Sequence, residues 1–377
     1  MPRSIGIRGA GVAGLSLASA LLQEIPEVSI FLCDLRTRLP HPERTFCFFN
    51  DGVPTIPVAP DHTWSSVSFR SHEFVRTVRC EGSPYTLIRG DRFFSGMLSH
   101  LERLGVEFTW GCQSINVEDN ALIVDGERRE FDLVVDAAFQ REDAEPILWQ
   151  SFGGIWVDAE EDLFDPRQAL LMDLGGSTHD TPVSFVYVLP TSRRTALIEH
   201  TTFSRVRYPV ERHLEECSRW IASNRLSGTT IRETEHGAIP MGLPVLPPNR
   251  IRIGSGAGAL RGSTGYAFAS IQRQVHGLAA EIARSLSSGM PAPSRAPRAY
   301  PAWMEFGDTL FLKTLARVPE QGSVLMERLL ERAPERELIS FLSGQAGIWS
   351  ALRVMACLPK GTMMRSLCPV SMKAAVF

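Results

Sequence analysis

The stretch from Ile5 to Glu24, IGIRGAGVAGLSLASALLQE, decides the fold. It opens as a short apolar strand, passes through the turn Gly9-Ala10-Gly11-Val12-Ala13-Gly14, and continues as an apolar helix. The turn has the G-x-G-x-x-G spacing of a dinucleotide-binding unit. Gly9 allows the tight turn, Gly11 lets a pyrophosphate approach the backbone, and Gly14 lets the helix pack on the strand. The helix N-terminus then offers free N–H groups and the positive end of its dipole to the phosphates. Pro26 follows the helix, and VSIFLCD reads as a second strand ending in Asp34, where an acceptor for ribose hydroxyls belongs. Gly9, Gly11, Ala13, Gly14 and Asp34 are therefore the expected cofactor contacts.

This unit alone leaves FAD and NAD open. FDLVVDA (131–137) reads as a further strand with an acid near its end, after the hairpin-like VEDNALIVDGERREF. Downstream, NRIRIGSGAGALRGSTGYAF (249–268) is again strand, glycine loop and helix. A second glycine loop suits the isoalloxazine and ribityl end of FAD, and a simple NAD domain would not need it. Gly254, Gly258, Thr264, Gly265 and Tyr266 join the expected contacts. Arg89 and Arg92, near the start of a later helix, are open to a role at the flavin or its phosphates or to a surface role.

The 377 residues exceed what one ordinary core serves, which points to two domains or three lobes. A net charge of −3 gives no global pull toward nucleic acid or anionic lipid. Seven scattered cysteines without a CxxC pair point to free thiols in a reducing compartment, with neither a disulfide framework nor a metal site. The first residues do not have the apolar core of a secretion signal, and no run approaches a membrane span. The expectation is a cytoplasmic protein, with peripheral seating on the inner face of the membrane left open.

The expected architecture is α/β: a Rossmann-like FAD-binding domain of the hydroxylase and glutathione-reductase type, an inserted β-sheet substrate domain, and a C-terminal helical region. The FAD-binding domain is assigned to 1–60, 85–140 and 245–290. Residues 141–244, with 61–84, form the β-rich substrate domain, and 291–377 a helical cap. Within the first domain an amphipathic helix runs from about Asp91 to Leu104 with Phe93, Phe94, Met97, Leu98 and Leu101 as its stripe. The cap holds helices near 303–317, 322–333, 335–343 and 347–356. Its apolar residues serve either as an ordinary core or as a lid over a lipid channel or bilayer.

Inside the substrate domain, SFVYVLP and TALIEHTTFS (195–204) read as a hairpin turned at Pro190 to Arg194. Alternation along the second strand puts Leu197, Glu199 and Thr201 on one side and Ile198, His200 and Thr202 on the other. If Glu199 faces an apolar pocket, desolvation raises its pKa and favours the protonated acid.

These stretches together resemble the flavin-dependent lycopene cyclases, in the bacterial lycopene beta-cyclase branch. The resemblance rests on GAGVAG, the hairpin leading to LIEHT, PRQALLMD ending at Asp173, EHGAIPMG (235–242), STGYAF (263–268) and the run from FGDTLFLKTL onward. It implies that Glu199 inherits the essential carboxylate of the family's Leu-Ile-Glu-Asp-Thr or Phe-Leu-Glu-Glu-Thr motif. His200 stands where the family has a second acid. RTFCFFN (44–50) departs from the family's His-Thr-Trp-Ser-Phe-His pattern, and GSGAG (254–258) lacks the aspartate of the hydroxylases. Asp173, His200, Phe46, Phe48, Phe49 and Trp156 are candidate pocket residues, with core packing the simpler fate of the aromatics.

The resemblance also implies the chemistry: protonation of a terminal alkene of lycopene or a related polyene, attack by an internal double bond, and proton loss to give a β-type ring. It implies reduced FAD, with NAD(P)H as electron source and no net oxidation. The alternative is an FAD-dependent monooxygenase or halogenase of the same fold, and a third possibility is a carotenoid-sequestering flavoprotein. Glu199 and the missing loop aspartate weigh against the second, and the intact glycine loop and catalytic-looking hairpin against the third.

Overall fold

The computed structural model describes residues 4–37, 44–139, 145–176, 181–226, 228–243 and 250–359. The chain divides into two compact units. One comprises Met1–Trp64, Glu81–Glu145 and Leu243–Ala302; the other comprises Ser65–Cys80, Pro146–Gly242 and Trp303–Phe377. The C-terminal helices thus fall in the unit that holds the large sheet.

The first unit is built on a four-stranded parallel sheet in the order Leu133–Asp136, Ser4–Arg8, Ser29–Asp34, Glu107–Trp110. The helix Val12–Glu24 joins the first two strands in sequence, and every residue from Ala13 to Leu22 is buried. That burial explains why the helix reads as apolar all round. It shares a core with the helix Phe268–Ser288, through residues such as Leu15, Leu21, Leu278 and Ile282. Gln272 Nε2 donates to Ser16 Oγ at 2.9 Å between the two helices.

The expected hairpin after residue 117 is present: Ala121–Val124 pairs antiparallel with Glu127–Glu130. Its turn is Asp125-Gly126, both at positive φ, the pairing that a two-residue I′ turn demands. The helix Gly90–Arg103 buries Phe93, Phe94, Met97 and Leu101, as its stripe predicts. The strand expected ahead of the second glycine loop is reduced to one parallel bridge between Arg252 and Asp136. The backbone turns away at Gly254, which has φ +84°.

The second unit carries a seven-stranded sheet. Its order is Thr229–Met241, Leu148–Ala159, Thr195–Ser204, Val183–Pro190, Gln168–Asp173, Ser66–Arg70, Val75–Arg79. All neighbours are antiparallel except Gln168–Asp173 beside Ser66–Arg70. The hairpin closes over Thr191 to Arg194, with the Thr191 N–H donating to Thr195 O at 2.9 Å. Every residue from Ala196 to Ser204 is buried, and the strand is third from one edge of the sheet. The helix Val210–Ser223 covers one face, packing Leu214, Cys217 and Trp220 with Ile155, Val186 and Ile198.

The C-terminal helices are Ala302–Arg317, Gly322–Arg332, Glu335–Leu342 and Ile348–Met355. At Gly322 a Cβ would lie 1.8 Å from the Pro182 carbonyl oxygen, so the second of them starts in direct contact with the backbone ahead of the hairpin. Among the described residues no helix is long and apolar enough to cross a membrane.

Gly14 tests how tightly the first unit is closed. A Cβ there would lie 1.9 Å from the Gly9 carbonyl oxygen, which is backbone and has no rotamer to escape into. Gly14→Ala is expected to cost about 2–4 kcal/mol by overpacking and backbone strain, read as a lowered denaturation midpoint. An unchanged midpoint would mean that the turn is looser than this geometry.

Candidate active site

Two sites emerge, one in each unit. In the first unit the turn after the opening strand is shaped by its glycines. Gly9 takes φ +102°, and a Cβ there would meet the Ala138 backbone nitrogen at 2.9 Å. At Gly11 a Cβ would meet nothing nearer than Arg36 Nη2 at 3.9 Å, so the side of the turn where a pyrophosphate would lie is open. The helix that follows has no capping side chain and no acid in its first turn, which leaves its positive end available to an anion.

Asp34 sits at the end of its strand as expected, but the chain itself engages it. Oδ2 accepts from the Ala10 N–H at 2.6 Å, and Oδ1 accepts from the Arg36 N–H at 2.9 Å and Nε at 2.8 Å. A further Arg36 nitrogen reaches Oδ2. Burial acts to raise this carboxyl, but the Arg36 guanidinium and the backbone donors outweigh it and hold Asp34 below the usual carboxylate range. Its first task is to tie the glycine turn to the second strand.

The second glycine loop comes against the first. A Cβ on Gly254 would lie 2.8 Å from the Ala13 Cβ. The Gly254 N–H donates to Gln274 Oε1 at 2.8 Å, which anchors the loop to the long helix behind it. Gly258 and Gly265 both take positive φ. Thr264 Oγ1 accepts from the Tyr266 N–H at 3.4 Å, and the Tyr266 hydroxyl pairs with that of Tyr85 at 3.3 Å. Phe46 and Phe48 stack on Phe268, and Phe49 lies against Tyr85, so these aromatics line the same part of the first unit. Arg92 is committed to Asp61 at 2.7 Å, on an exposed helix start.

In the second unit, register places four residues in one row across the sheet. Tyr187 lies opposite Glu199, Glu199 opposite Gly154, and Gly154 opposite Glu235. Directly opposed residues share a face, so the two glutamates flank a position with no side chain. A Cβ on Gly154 would come within 3.1 Å of the Glu199 Cβ. Both acids are 2% exposed. Thr201 Oγ1 donates to Glu199 Oε1 at 3.1 Å, and Trp156 Nε1 donates to Glu235 Oε2 at 3.4 Å. Glu199 Oε2 has no well-aligned partner, although the Tyr187 hydroxyl and the Glu235 carboxyl act on the group with looser geometry.

Burial first, and then the like charge of Glu235, push the Glu199 carboxyl well above the usual carboxylate range, against the pull of the Tyr187 and Thr201 hydroxyls. A carboxylic acid that keeps its proton at neutral pH in a dry setting is a competent proton donor to a weak base.

Trp156 therefore joins Glu199, whereas His200 and Asp173 do not. His200 lies on the opposite face, under the helix Val210–Ser223. Its Nδ1 meets His213 Nδ1 at 2.9 Å and its Nε2 meets Ser184 Oγ at 2.9 Å. Burial pushes His213 down to about 4, so that this histidine is neutral at pH 7. Asp173 is paired in register with Val186, on the same face as His200. It binds Arg70, accepts from Trp220 Nε1 at 2.7 Å and from the Gly175 N–H at 3.1 Å, and so ties the helix to the sheet.

Glu235, Tyr187 and Gly154 were not singled out from the sequence. The available signal was EHGAIPMG, which carries Glu235 as its first residue. Among the described residues no group of three or more His, Cys, Asp or Glu side chains could hold a metal ion.

The profile of the lycopene cyclase protein family matches residues 5–368. The chain belongs to the lycopene cyclase family. It is 25% identical over 313 residues to a lycopene beta cyclase of Capsicum annuum, covering 75% of this chain and 61% of that protein. It is 27% identical over 255 residues to a neoxanthin synthase of Solanum tuberosum, covering 60% of this chain and 50% of that protein. The matches thus span about half to three-fifths of these relatives.

Among solved structures, a geranylgeranyl bacteriochlorophyll reductase-like protein from Thermoplasma acidophilum superposes with a TM-score of 0.62 at 13% identity, covering 97% and 99% of the two chains. A halogenase, PltM, in complex with FAD gives 0.59 at 12% identity, covering 97% and 92%. At such identities the likeness is one of fold. It bears out the expected α/β architecture of the FAD-dependent hydroxylase type.

The network around Asp173 predicts a stability effect that is separate from the acid pair. Asp173→Asn removes charge-assisted bonds from Arg70 and Trp220 and is expected to cost about 2–3 kcal/mol at neutral pH. Burial acts to raise the Asp173 carboxyl, but Arg70, Trp220 and the Gly175 N–H outweigh it and leave it below its ordinary value. Its contribution is therefore complete above the unfolded carboxylate range and is lost as pH falls through the still lower folded value. Denaturation of the native and Asp173→Asn proteins should converge below about pH 4; a gap independent of pH would contradict this assignment.

Proposed function

We propose that this lycopene cyclase family member converts the linear end of lycopene or a related polyene to a β-type ring, without net oxidation, with reduced FAD and NAD(P)H as the electron source. The observation that carries the proposal is the Glu199 carboxyl, buried on the sheet beside Glu235, which burial and that like-charged neighbour push well above the usual carboxylate range. An alkene is a very weak base, so its protonation needs an acid held in place where water does not compete. Glu199 is held by its position in a buried strand and by Thr201, and Trp156 presents an indole on the same face. The proton goes to the terminal alkene, an internal double bond attacks the resulting cation, and a ring proton leaves. Electrons and protons balance with no change in oxidation state.

The two glycine loops of the first unit fit FAD. Gly9, Gly11, Gly14 and the uncapped helix end would receive the pyrophosphate, while Gly254, Gly258, Thr264, Gly265 and Tyr266 would hold the ribityl and ring end. When bound and reduced, the flavin would supply negative charge, the sign that stabilises a carbocation. A lipophilic substrate is also consistent with peripheral seating on a membrane. Phe306 and Trp349 on the C-terminal helices are 71% and 77% exposed, which gives the chain apolar side chains to rest there.

The test is anaerobic incubation with lycopene and chemically reduced FAD in detergent or membranes. Ring formation without oxygen supports cyclisation, whereas an oxygenated product with coupled oxygen uptake supports a monooxygenase instead. Glu199→Gln should lower turnover by about 10²–10⁴-fold with FAD still bound, as expected for loss of a general acid. Near-normal turnover would remove Glu199 from the chemistry. Gly11→Ala should fold normally, since its Cβ meets no neighbour closely, yet purify without flavin. Full flavin retention would place the pyrophosphate elsewhere.

A further inference from the structure

Glu235 transfers no proton in the chemistry derived above, yet its placement is costly. A second acid is buried to 2% exposure opposite Gly154, with that one strand between it and Glu199, where a valine would pack without penalty. The residue between them is the one type that leaves the space over the middle strand open, and a Cβ there would press on Leu197 at 3.0 Å and on the Glu199 Cγ at 3.2 Å. Donors are supplied at both ends of the row: Thr201 to Glu199 and the Trp156 indole to Glu235. The arrangement is asymmetric, because the indole is a donor only and favours the ionised form of Glu235.

From this geometry, and resting on the cyclase proposal above, we infer that Glu235 is a positioning residue for Glu199: across Gly154 the two carboxyl groups hold one proton between them, and Glu235 keeps that proton on Glu199. Two carboxyls so close cannot both ionise, and the pair titrates as a unit. The like charge and the hydrogen bond of Glu235 both act to raise Glu199, after burial itself. In a turnover the Glu199 O–H bond breaks as a C–H bond forms on the alkene, leaving both acids ionised. That state is costly in a buried site, so the pair takes back the proton that the ring then loses. No net proton is consumed, and no external base is needed.

The other titratable or charged groups that flanking elements bring to the pair are few. Tyr187 comes from the neighbouring strand, and Glu233 with Arg232 from the outer one. From the helix beyond the sheet comes Cys217, whose thiol burial pushes up to about 12. His200 and His213 lie behind the sheet, on the helix side.

The experiment is an infrared pH titration of the full-length protein without substrate, following the C=O stretch of protonated carboxyl groups, in the native chain, Glu199→Gln and Glu235→Gln. A carboxylic acid band should persist at neutral pH in the native protein and vanish in Glu199→Gln. In Glu235→Gln it should titrate at least about one pH unit lower, because the like charge has gone. Turnover of Glu235→Gln at pH 8 should fall about tenfold or more in kcat with little change in KM, and recover as the pH is lowered. Glu235→Asp should restore part of the pH profile.

Absence of the neutral-pH band in the native chain overturns the inference, and this result needs no variant to fold. An unshifted midpoint in Glu235→Gln also overturns it, leaving Glu235 a merely structural group. The two proposals fail separately. A band that behaves as expected in a protein that cyclises no polyene sinks the cyclase proposal and keeps the pair. Cyclisation without the band does the reverse.

Discussion

The burial of two carboxyl groups on either side of one glycine is the constraint around which the second unit is organised. Removing such groups from water costs several kcal/mol each unless a proton neutralises one and hydrogen bonds satisfy the rest. The sheet meets those conditions with residues close by. Gly154 clears the space, Thr201 and Trp156 donate, and a strand buried along almost its whole length keeps water away. Lengthening Gly154 by one methyl would therefore disturb chemistry and packing together, since its nearest neighbours include Glu199 itself.

The other face of the same sheet holds polar groups in a different setting. His200, His213 and Ser184 form a chain of hydrogen bonds under the helix Val210–Ser223. Asp173 joins that helix to the sheet through Trp220, and joins both to Arg70. His200, His213, Ser184 and Asp173 are buried as Glu199 is, but Asp173 is paired with a group of opposite charge. Burial alone does not distinguish a reactive acid from a structural one; the identity of the partner does. Glu199 faces another acid, whereas Asp173 faces an arginine, and their carboxyls are driven in opposite directions.

Much of this was legible in the chain. The glycine spacing from Gly9 to Gly14, the apolar helix behind it and the acid at Asp34 announced the first unit, because strand, tight turn and helix dipole each demand their own residue types. Strand alternation placed Glu199 and His200 on opposite faces, and the register agrees. The helices at 302–317, 322–332, 335–342 and 348–355 followed from apolar spacing. What spacing did not convey was partnership. Asp34 was read as waiting for a ribose, and the structure has it engaged by Arg36 and Ala10. Asp173, a candidate pocket residue, lies on the helix side.

By itself, then, the sequence determined the class of fold, the cofactor-shaped turn, and that Glu199 and His200 of LIEHT stand on opposite faces of their strand. These are properties of local geometry and of a two-residue or 3.6-residue period, which a linear chain displays directly. The meeting of Glu199 with Glu235, 36 positions apart in the chain, was decided by tertiary structure alone. It depends on a register that slides as a whole: a shift of one residue along either neighbouring strand would turn one of the acids to the other face and leave Gly154 opposite a different pair. That register is held by the hairpin turn, by the paired backbones and by the bulk of Trp156 and Phe152 on either side, none of which the residues around Glu199 encode on their own.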